Sequence, residues 1–359
     1  MIGLSIAWEL NRRNYRTVIV DVNDFGKKAS WAGAGILAPA NFETMSQPLD
    51  KLKGYGSLLH GDWSSELKKS TGVDNGYQEC GGLYVARTTG EQAALIGQLD
   101  EWTEYQIPFE QLDPGSVERT LGQKPTMVVS VPGEGQICNR SHLDALIAAC
   151  QNSGSELIAQ CGELQFKFDS SRCEVGFAAG ANRELSFDHV FLAAGAWSTS
   201  LVQQFGVNLP VIPVRGQMLL YKLKQKVTDG ILNEGSRYIV PRRDGHVVVG
   251  STTEEVGFDE TTTPTAIEDL KKFAADWYPQ LNASALISAW AGLRPASHDG
   301  FPFMGRLAEF ENVWIATGHF KAGLQMAPAV AEVMADMLAG NPPRMDASAF
   351  APSRLNVEA

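Results

Sequence analysis

The sequence has little positive charge and no long hydrophobic stretch. Its 30 Lys and Arg residues are outnumbered by 41 Asp and Glu residues, which gives a formal net charge of −11 at pH 7. Because no basic block offsets this balance, nucleic acid and anionic membrane surfaces are excluded as expected partners. The apolar runs are short and interrupted by Gly or Pro, so no segment is expected to cross a bilayer.

Cysteine is also scarce, and its spacing predicts neither a disulfide framework nor a metal site. The 5 cysteines are odd in number and form no C-x-x-C pair. This usage is typical of a reducing compartment, so we expect a cytoplasmic protein whose cysteines are buried small side chains. No cluster has metal-ligand spacing, and neither a G-x-S-x-G elbow nor a phosphate-binding P-loop occurs.

The hydrophobic pattern changes character several times along the chain, which predicts two interleaved domains. With 359 residues, 44% of them hydrophobic, the chain is long enough to bury a large core. Helical and buried-strand patterns predict a dinucleotide-binding domain, whereas alternating strands with one covering helix predict a substrate domain. The predicted ranges are 1–75, 135–210 and 290–345 for the first domain, 76–134 and 211–289 for the second, and 346–359 for a C-terminal tail.

The first residues resemble the second half of a dinucleotide-binding fingerprint. Met1–Leu10 reads as the helix after G-x-G-x-x-G, with Gly3 as the third glycine, and Thr17–Val20 reads as a buried strand that ends at Asp21. In this motif an acidic residue about 20 positions past the glycines binds the adenosine ribose. We therefore expect the first strand and its glycine turn, roughly 10–15 residues, upstream of Met1. A plain βα unit of another α/β protein is the alternative.

Two further segments contain small residues, which suit positions where the backbone approaches a ligand closely. The stretch 30–37 contains Ser30, Ala34 and Gly35, and Val190–Gly195 reads as a doubly buried strand that runs into a glycine turn. An ordinary strand end is the alternative for the latter.

Pro328 is tolerated only near the first turn of a helix, which predicts that the last helix begins just before it. Asn139–Ser141 is predicted to cap another helix.

An ordered set of motifs resembles one known family. Trp290–Gly305 and Gly318–Pro328 are the most specific pieces, and Pro213–Gln217, Tyr238–Arg242 and Val249–Thr252 precede them in order. Together with the N-terminal piece they resemble the glycine oxidase/D-amino-acid oxidase family of FAD-dependent amine oxidoreductases. The resemblance implies an α/β fold, in which an FAD-binding Rossmann-like domain is interleaved with an antiparallel-sheet α+β substrate domain.

The resemblance also implies roles for two residues of the substrate site. Arg294 would clamp the substrate's α-carboxylate, because a planar guanidinium binds a carboxylate with two parallel hydrogen bonds. Tyr238 would share this contact through its hydroxyl. The alternatives are a structural salt bridge for Arg294 and a cross-strand aromatic contact for Tyr238.

The cofactor implied by the resemblance is FAD. No cysteine stands between Ser297 and Met304, where covalently flavinylated relatives carry one, so FAD is expected to bind non-covalently. Lys321 stands where glycine oxidases often carry Arg, and a solvated surface lysine is its alternative. His319 is expected to fix a turn rather than to act as a base. The residues implied to contact the cofactor are Gly3, Asp21, Ser30, Ala34, Gly35, Gly195, Gly318, His319, Phe320, Lys321, Gly323 and Leu324.

The activity implied is oxidation of a small amino acid, glycine or a similar amine, to an imine that hydrolyses to a 2-oxo acid and ammonia. Dioxygen is the expected electron acceptor, and the imine is expected to serve thiamine synthesis. A D-amino-acid dehydrogenase that uses a quinone, a sarcosine-type oxidase, and a non-catalytic protein without FAD are the alternatives. Thr253 stands where sarcosine-type oxidases carry their oxygen-activating lysine, so the identity of the electron acceptor stays open. Whether the protein forms a homo-oligomer also stays open.

Overall fold

Helices stand near both ends of the chain and strands fill most of its middle. The computed structural model describes residues 1–169, 171–178, 180, 183–225, 228–282 and 285–356. The helices are α1 (Ile2–Arg12), α2 (Ala29–Ala32), α3 (Pro48–Thr71), α4 (Thr89–Glu104), α5 (Pro114–Leu121), α6 (Asn139–Asn152), α7 (Ser198–Val202), α8 (Pro264–Trp277) and α9 (Gly323–Ala339). The strands are β1 (Val18–Val20), β2 (Ile36–Leu37), β3 (Gln78–Glu79), β4 (Gly82–Ala86), β5 (Glu110–Leu112), β6 (Met127–Val131), β7 (Gly135–Gln136), β8 (Glu156–Ile158), β9 (Leu164–Asp169), β10 (Arg172–Ala178), β11 (Arg183–Ser186), β12 (Val190–Leu192), β13 (Val211–Lys222), β14 (Ile231–Glu234), β15 (Arg237–Pro241), β16 (His246–Gly250), β17 (Leu286–Ser297), β18 (Phe303–Arg306) and β19 (Val313–Thr317).

Parallel strands and long helices form the Rossmann-like part of the α/β fold. β1 pairs in parallel with β8, and β12 pairs in parallel with β19. Helix α1 contacts α9, α6 and β1, and its apolar side chains join those of α3 and α9 in one buried cluster. Ile6 of α1 and Val330 of α9 are among its fully enclosed members. Burial of this apolar surface is what fixes α1 and α9 side by side.

Two strands predicted to be fully buried are only partly covered. Val18 is 48% exposed, and Val190 and Phe191 are half-buried. Among the described residues β1 pairs with β8 alone and β12 with β19 alone, so each strand has one edge without a strand partner. Full burial was predicted from the continuous apolar sequence of each strand. It would require a further strand on the other edge, and these sheets contain none among the described residues.

One large sheet forms the second part of the fold. Its strand order is β17-β13-β16-β15-β14-β4-β6-β5, and every pair is antiparallel except β14 with β4. Side chains alternate between its faces, as expected for period-2 strands. On one face Leu219 and Val249 pack against Phe273 and Trp277 of α8. On the other face Met218 packs with residues of α2. The sheet is therefore covered by α8 on one side and by the Rossmann-like part on the other.

Strand β17 links the two parts of the molecule. It pairs with β13 along its length, with Trp290 opposite Met218 and Arg294 opposite Val214. The predicted domain boundary at residue 290 thus falls inside a strand of the large sheet. The domain ranges given above stay a prediction.

Two local predictions about helix starts were wrong. Helix α6 has Cys138 as its N-cap, and the Asn139 side chain instead donates hydrogen bonds to the carbonyl oxygens of Ser30 and Trp31, at 2.7 and 2.9 Å. Helix α9 begins at Gly323, so Pro328 lies inside it rather than at its start. In both cases a contact distant in sequence overrides the local capping rule.

No helix among the described residues is both long and apolar enough to cross a membrane.

A buried acid fixes the turn between β6 and β7. The Glu134 carboxylate is 1% exposed and accepts hydrogen bonds from the Tyr84 hydroxyl at 3.0 Å and the Asn233 amide at 2.9 Å. Within the described residues no cation pairs with it. Burial therefore raises the pKa of Glu134 to about 8, although the two hydrogen bonds act in the opposite direction.

Glu134 makes the stability of the protein fall with rising pH. Above about pH 4.5 the unfolded chain loses this proton while the folded protein keeps it until about pH 8. We expect Glu134→Gln to remove this loss, so that between pH 4 and 9 the variant gains about 5 kcal/mol of stability relative to the wild type. Denaturant unfolding between pH 4 and 9 measures the effect, with Glu110→Gln on the exposed edge strand β5 as control. If the difference in unfolding free energy between Glu134→Gln and the wild type stays constant over this pH range, the raised pKa of Glu134 is contradicted.

Candidate active site

Arg294 and Tyr238 lie on the same face of the large sheet. Tyr238 and Met218 are both in register with Gly250, and the Tyr238 hydroxyl lies 3.3 Å from the Met218 sulfur. Arg294 is one alternation step beyond the Gly216–Gly292 pair on the adjoining strands. A Cβ atom at Gly216 would lie 2.1 Å from Nη2 of Arg294, so any side chain there would displace the guanidinium from this position. The sheet thus directs a phenol and a guanidinium toward the Rossmann-like part.

In the described part of the chain the Arg294 guanidinium has neutral partners only. Nη1 donates to the carbonyl oxygens of Thr252 at 3.0 Å and Arg215 at 3.5 Å, and Nη2 donates to the Ser251 hydroxyl at 2.8 Å. Among the described residues no carboxylate pairs with it. The neighbouring Arg215, by contrast, is bound by Glu254 and Asp259. The Nε hydrogen of Arg294 and one Nη2 hydrogen are left for a further acceptor.

Lys321 adds a second positive charge beside Arg294. Ala296 forms an antiparallel bridge with His319, and the Phe320 amide donates to the Pro295 carbonyl oxygen at 2.8 Å. Lys321 itself lies in a turn, because Phe320 has φ of +45° and the Ala322 amide donates to the His319 carbonyl oxygen at 3.1 Å. The residue is exposed overall, but the protein partly encloses its ammonium group, and this burial, followed by the charge of Arg294, lowers the pKa of Lys321. No acid pairs with Lys321 in the described part of the chain. Like charges close to each other repel, so binding of an anion beside them is favoured.

The N-terminal residues implied to bind the cofactor lie together. The Met1 amino group donates to the Ser30 hydroxyl at 3.1 Å, and its charge also acts on Asp21. Asp21 accepts a hydrogen bond from the Asn23 amide at 2.9 Å, while burial raises its pKa. A Cβ atom at Gly3 would lie 3.4 Å from Cβ of Ala193, just after β12. The start of α1 therefore meets Asp21, Ser30 and the β12 turn at one place.

The Ala34–Gly35 loop is held against both parts of the fold. Arg242 donates to the Ala34 carbonyl oxygen. Gly35 has φ of +72°, and a Cβ atom there would lie 1.9 Å from the Ile137 carbonyl oxygen. Just before the loop, the Trp290 indole donates to the Ala32 carbonyl oxygen at 3.0 Å. These contacts fix the loop beside β17, the strand that carries Arg294.

The loop before α9 completes the site. Gly318 has φ of +80°, and the Thr317 hydroxyl donates to the Gly195 carbonyl oxygen at 3.0 Å, so Gly195 and Gly318 are neighbours. His319 is buried, and burial, followed by the N-terminal charge, lowers its pKa to about 3. It is therefore neutral near pH 7. Ala322, the N-cap of α9, makes no side-chain capping bond, and the first turn contains no acidic residue. The positive end of the α9 dipole is thus open beside Lys321.

The residues present fit a bound dinucleotide such as FAD. The N-terminus of α1 has no side-chain cap and no acidic residue in its first turn, which suits a phosphate group. Ser297 Oγ and His319 Nε2 are buried without a hydrogen-bond partner among the described residues. Buried polar atoms are normally paired, so both atoms indicate a polar ligand at the junction of β17 and the α9 loop. The described residues contain no cluster that could hold a metal ion.

Sequence reasoning missed several residues of this site. Ser251, Thr252 and Gly216 surround Arg294, yet they were noted only as parts of motifs. Arg140 lies over the Trp31 ring at 3.6 Å and also contacts the Trp290 ring, a contact that no local pattern signals. All these contacts join segments far apart in sequence.

A cavity of about 730 Å³ lies on the opposite, α8-covered side of the sheet. Ser251 and Thr252 line it, together with Leu270 and Phe273 of α8. Neither Arg294 nor Tyr238 is part of its wall. It therefore lies behind the candidate active site and is not assigned to the substrate.

Comparison with known proteins finds relatives whose names agree with one another. A family model described as "DAO: FAD dependent oxidoreductase" matches residues 1–337. A glycine oxidase of Pseudomonas aeruginosa is 33% identical over 98% of this chain and 96% of its own. The bifunctional protein ThiO/ThiG of Trichormus variabilis is 31% identical over 94% of this chain and 51% of its own length.

A solved structure agrees with these relatives. The crystal structure of glycine oxidase from Geobacillus kaustophilus superposes with a TM-score of 0.91, at 26% identity, and covers 98% of this chain and 96% of that one. The implied fold and the FAD cofactor are therefore confirmed. The chain belongs to the DAO family of FAD-dependent oxidoreductases.

Proposed function

We propose that the protein oxidises a small amino acid, glycine or a similar amine, to the imine, which water hydrolyses to the 2-oxo acid and ammonia. Dioxygen is the electron acceptor and is reduced to hydrogen peroxide. When bound, FAD accepts the hydrogen and the electron pair from the substrate carbon. The observation that carries the proposal is the pair of cations, Arg294 and Lys321, on the side of the sheet that also carries Tyr238. Neither cation has a carboxylate partner among the described residues. Relatives named glycine oxidase support it.

Arg294 would bind the substrate carboxylate through its free Nε and Nη2 hydrogens. Its other hydrogens are directed at the carbonyl oxygens of Thr252 and Arg215 and at the Ser251 hydroxyl, so the guanidinium is held in one orientation before substrate arrives. Charge-assisted, bidentate hydrogen bonds are the strongest available here. The Tyr238 hydroxyl, whose one hydrogen-bond partner among the described residues is the Met218 sulfur, would donate to the same carboxylate. Holding the substrate in a reactive orientation can contribute roughly 7–11 kcal/mol.

Lys321 would act on the substrate side in addition to its implied contact with the cofactor. It lies close enough to Arg294 for their charges to repel, so a carboxylate bound beside both reduces this repulsion. A lysine supplies a point charge rather than a planar fork. Arg294 would therefore set the orientation of the carboxylate, and Lys321 would strengthen its binding.

The cofactor would be held non-covalently by the segments that the structure gathers around α1 and α9. Asp21 would bind the ribose, the start of α1 with Gly3 would bind the pyrophosphate, and Ser30 would support this turn. The remaining positions proposed to contact FAD are Ala34, Gly35, Gly195, Gly318, His319, Phe320, Gly323 and Leu324. The use of the imine for thiamine synthesis is supported by the relatives named ThiO/ThiG. A cytoplasmic location and a homo-oligomeric state stay predictions.

The proposal is tested by following product and acceptor together. The purified, FAD-loaded enzyme is mixed with glycine, D-alanine or sarcosine, with dioxygen or an artificial electron acceptor. We expect hydrogen peroxide, ammonia and 2-oxo acid in equal amounts from glycine or D-alanine in air. Turnover only with the artificial acceptor, without peroxide, would instead identify a dehydrogenase.

Asp21→Ala tests the ribose assignment. Hydrogen bonds to a charged group contribute about 1.5–3 kcal/mol each, so we expect the dissociation constant for FAD to rise at least about tenfold. The KM for the amino acid should change little, because Asp21 lies away from Arg294. Asp24→Ala, on the exposed side of the same loop, is the matched control. An unchanged FAD affinity in Asp21→Ala would show that the ribose is bound elsewhere.

Arg294→Ala tests the carboxylate contact. Loss of two charge-assisted hydrogen bonds should raise KM about 100-fold or more, while bound flavin is retained. Arg294→Lys keeps the charge without the fork and should give an intermediate KM. Steady-state kinetics and the flavin absorbance of the purified variants measure both effects. Loss of flavin or of the folded state in Arg294→Lys would mean that Arg294 is structural.

A further inference from the structure

Pro328 creates an unpaired carbonyl at the start of α9. In an α-helix the amide of each residue donates to the carbonyl oxygen four positions earlier, and proline has no such hydrogen. Pro328 lies inside α9, so the Leu324 carbonyl oxygen lacks its helical donor. Leu324 is in the first turn, directly after the loop that carries Lys321. A buried carbonyl without a donor would be costly at this position.

His60 of α3 supplies the missing hydrogen. Its Nε2 atom lies 3.1 Å from the carbonyl oxygens of both Leu324 and Gln325. Since both partners are acceptors, Nε2 carries the hydrogen and donates. The ring is fully buried, and this burial lowers the pKa of His60 to about 4, so the ring is neutral and Nδ1 is an acceptor.

Helix α3 holds the first turn of α9 by further contacts at the same place. A Cβ atom at Gly56 would lie 2.0 Å from the Gln325 carbonyl oxygen, so the two helices approach as closely as a glycine allows. The Gln325 side chain donates to the Ser57 hydroxyl at 2.8 Å and to the Ala38 carbonyl oxygen at 2.9 Å. The His60 hydrogen bond is therefore part of a rigid contact and not an isolated one.

A second buried histidine contacts the first. The Asn75 amide donates to His142 Nδ1 at 2.9 Å, which leaves the hydrogen on His142 Nε2. His142 Nε2 and His60 Nδ1 both lack partners among the described residues, and their ring centroids are 6.0 Å apart. The His142 ring therefore presents a donor nitrogen and the His60 ring an acceptor nitrogen, and the two rings contact each other without a hydrogen bond between them.

We propose that His60 is a positioning residue for the active site: it replaces the hydrogen bond that Pro328 removes, and so fixes the first turn of α9 beside Lys321. The free amides of that turn carry about half a positive charge, which stabilises negative charge on a group bound in front of them. The inference rests on FAD lying at this end of α9. His60 touches neither substrate nor cofactor and acts only through the helix.

A double-mutant cycle tests the proposal on the FAD-loaded enzyme. His60→Leu removes the donor, and Pro328→Ala restores the helical amide that can bond to the Leu324 carbonyl oxygen. The midpoint potential of the bound flavin and the denaturant stability are measured for the wild type, both single variants and the double variant. His60→Gln keeps a donor at the Nε2 position, and His246→Leu in strand β16 is the matched control.

We expect His60→Leu to make the flavin potential more negative, with a tenfold loss of preference for the reduced form corresponding to about 30 mV for a two-electron couple. His60→Gln and the double variant should both return close to the wild-type potential, and His246→Leu should not differ from it. An equal shift in His60→Leu and the double variant would overturn the proposal, since His60 would then act by packing alone. Coupling in stability without any change in potential would also overturn it, and would leave the proposed reaction untouched. If His60→Leu does not fold, His60→Gln is compared with His60→Asn, whose shorter side chain cannot place a donor at the Nε2 position. A wild-type flavin potential in His60→Gln and a shifted potential in His60→Asn would support the proposal. Equal flavin potentials in these two variants would overturn it.

Discussion

The pairing of β17 with β13 is the interaction on which the candidate active site depends. It sets Arg294 opposite Val214 and places Gly216 beneath the guanidinium. A slip of one residue would turn Arg294 to the α8-covered face, because side chains alternate along a strand. The same strand also pairs with the loop before α9 through Ala296 and His319. One strand therefore joins the large sheet to the loop of the Rossmann-like part that carries the second cation.

The distribution of charge around this strand separates structure from function. Arg215 is 3% exposed and bound by two carboxylates, as a buried guanidinium requires. Arg294, on the neighbouring strand, has only neutral partners within the described residues, and the nearby Lys321 has no acidic partner there. The open N-terminus of α9 adds a third positive element at the same place. Such a concentration of positive charge is stable only where an anion or an electron-rich group binds.

The sequence was most informative where a motif is local. Gly3, Asp21 and Ser30 belong to one short segment, and the structure does bring them together. The contacts that were missed join residues far apart in the chain. Pro328 was expected at the start of its helix because proline lacks an amide hydrogen, but the donor that permits it inside α9 comes from His60 on α3. The placement of Lys321 near Arg294 likewise depends on the bridge between Ala296 and His319, which periodicity alone does not predict. Local rules predict elements, whereas burial and pairing between distant segments decide where those rules are broken.

The central claim is that this site recognises a substrate through its carboxylate. The most direct test is a titration of the FAD-loaded enzyme with acetate and, separately, with ethylamine, followed by the absorbance spectrum of the bound flavin. Acetate carries the carboxylate without an amine, and ethylamine carries the amine without a carboxylate. We predict that acetate perturbs the flavin spectrum and competes with glycine, and that ethylamine does neither. Binding of ethylamine as tight as that of acetate would contradict the account.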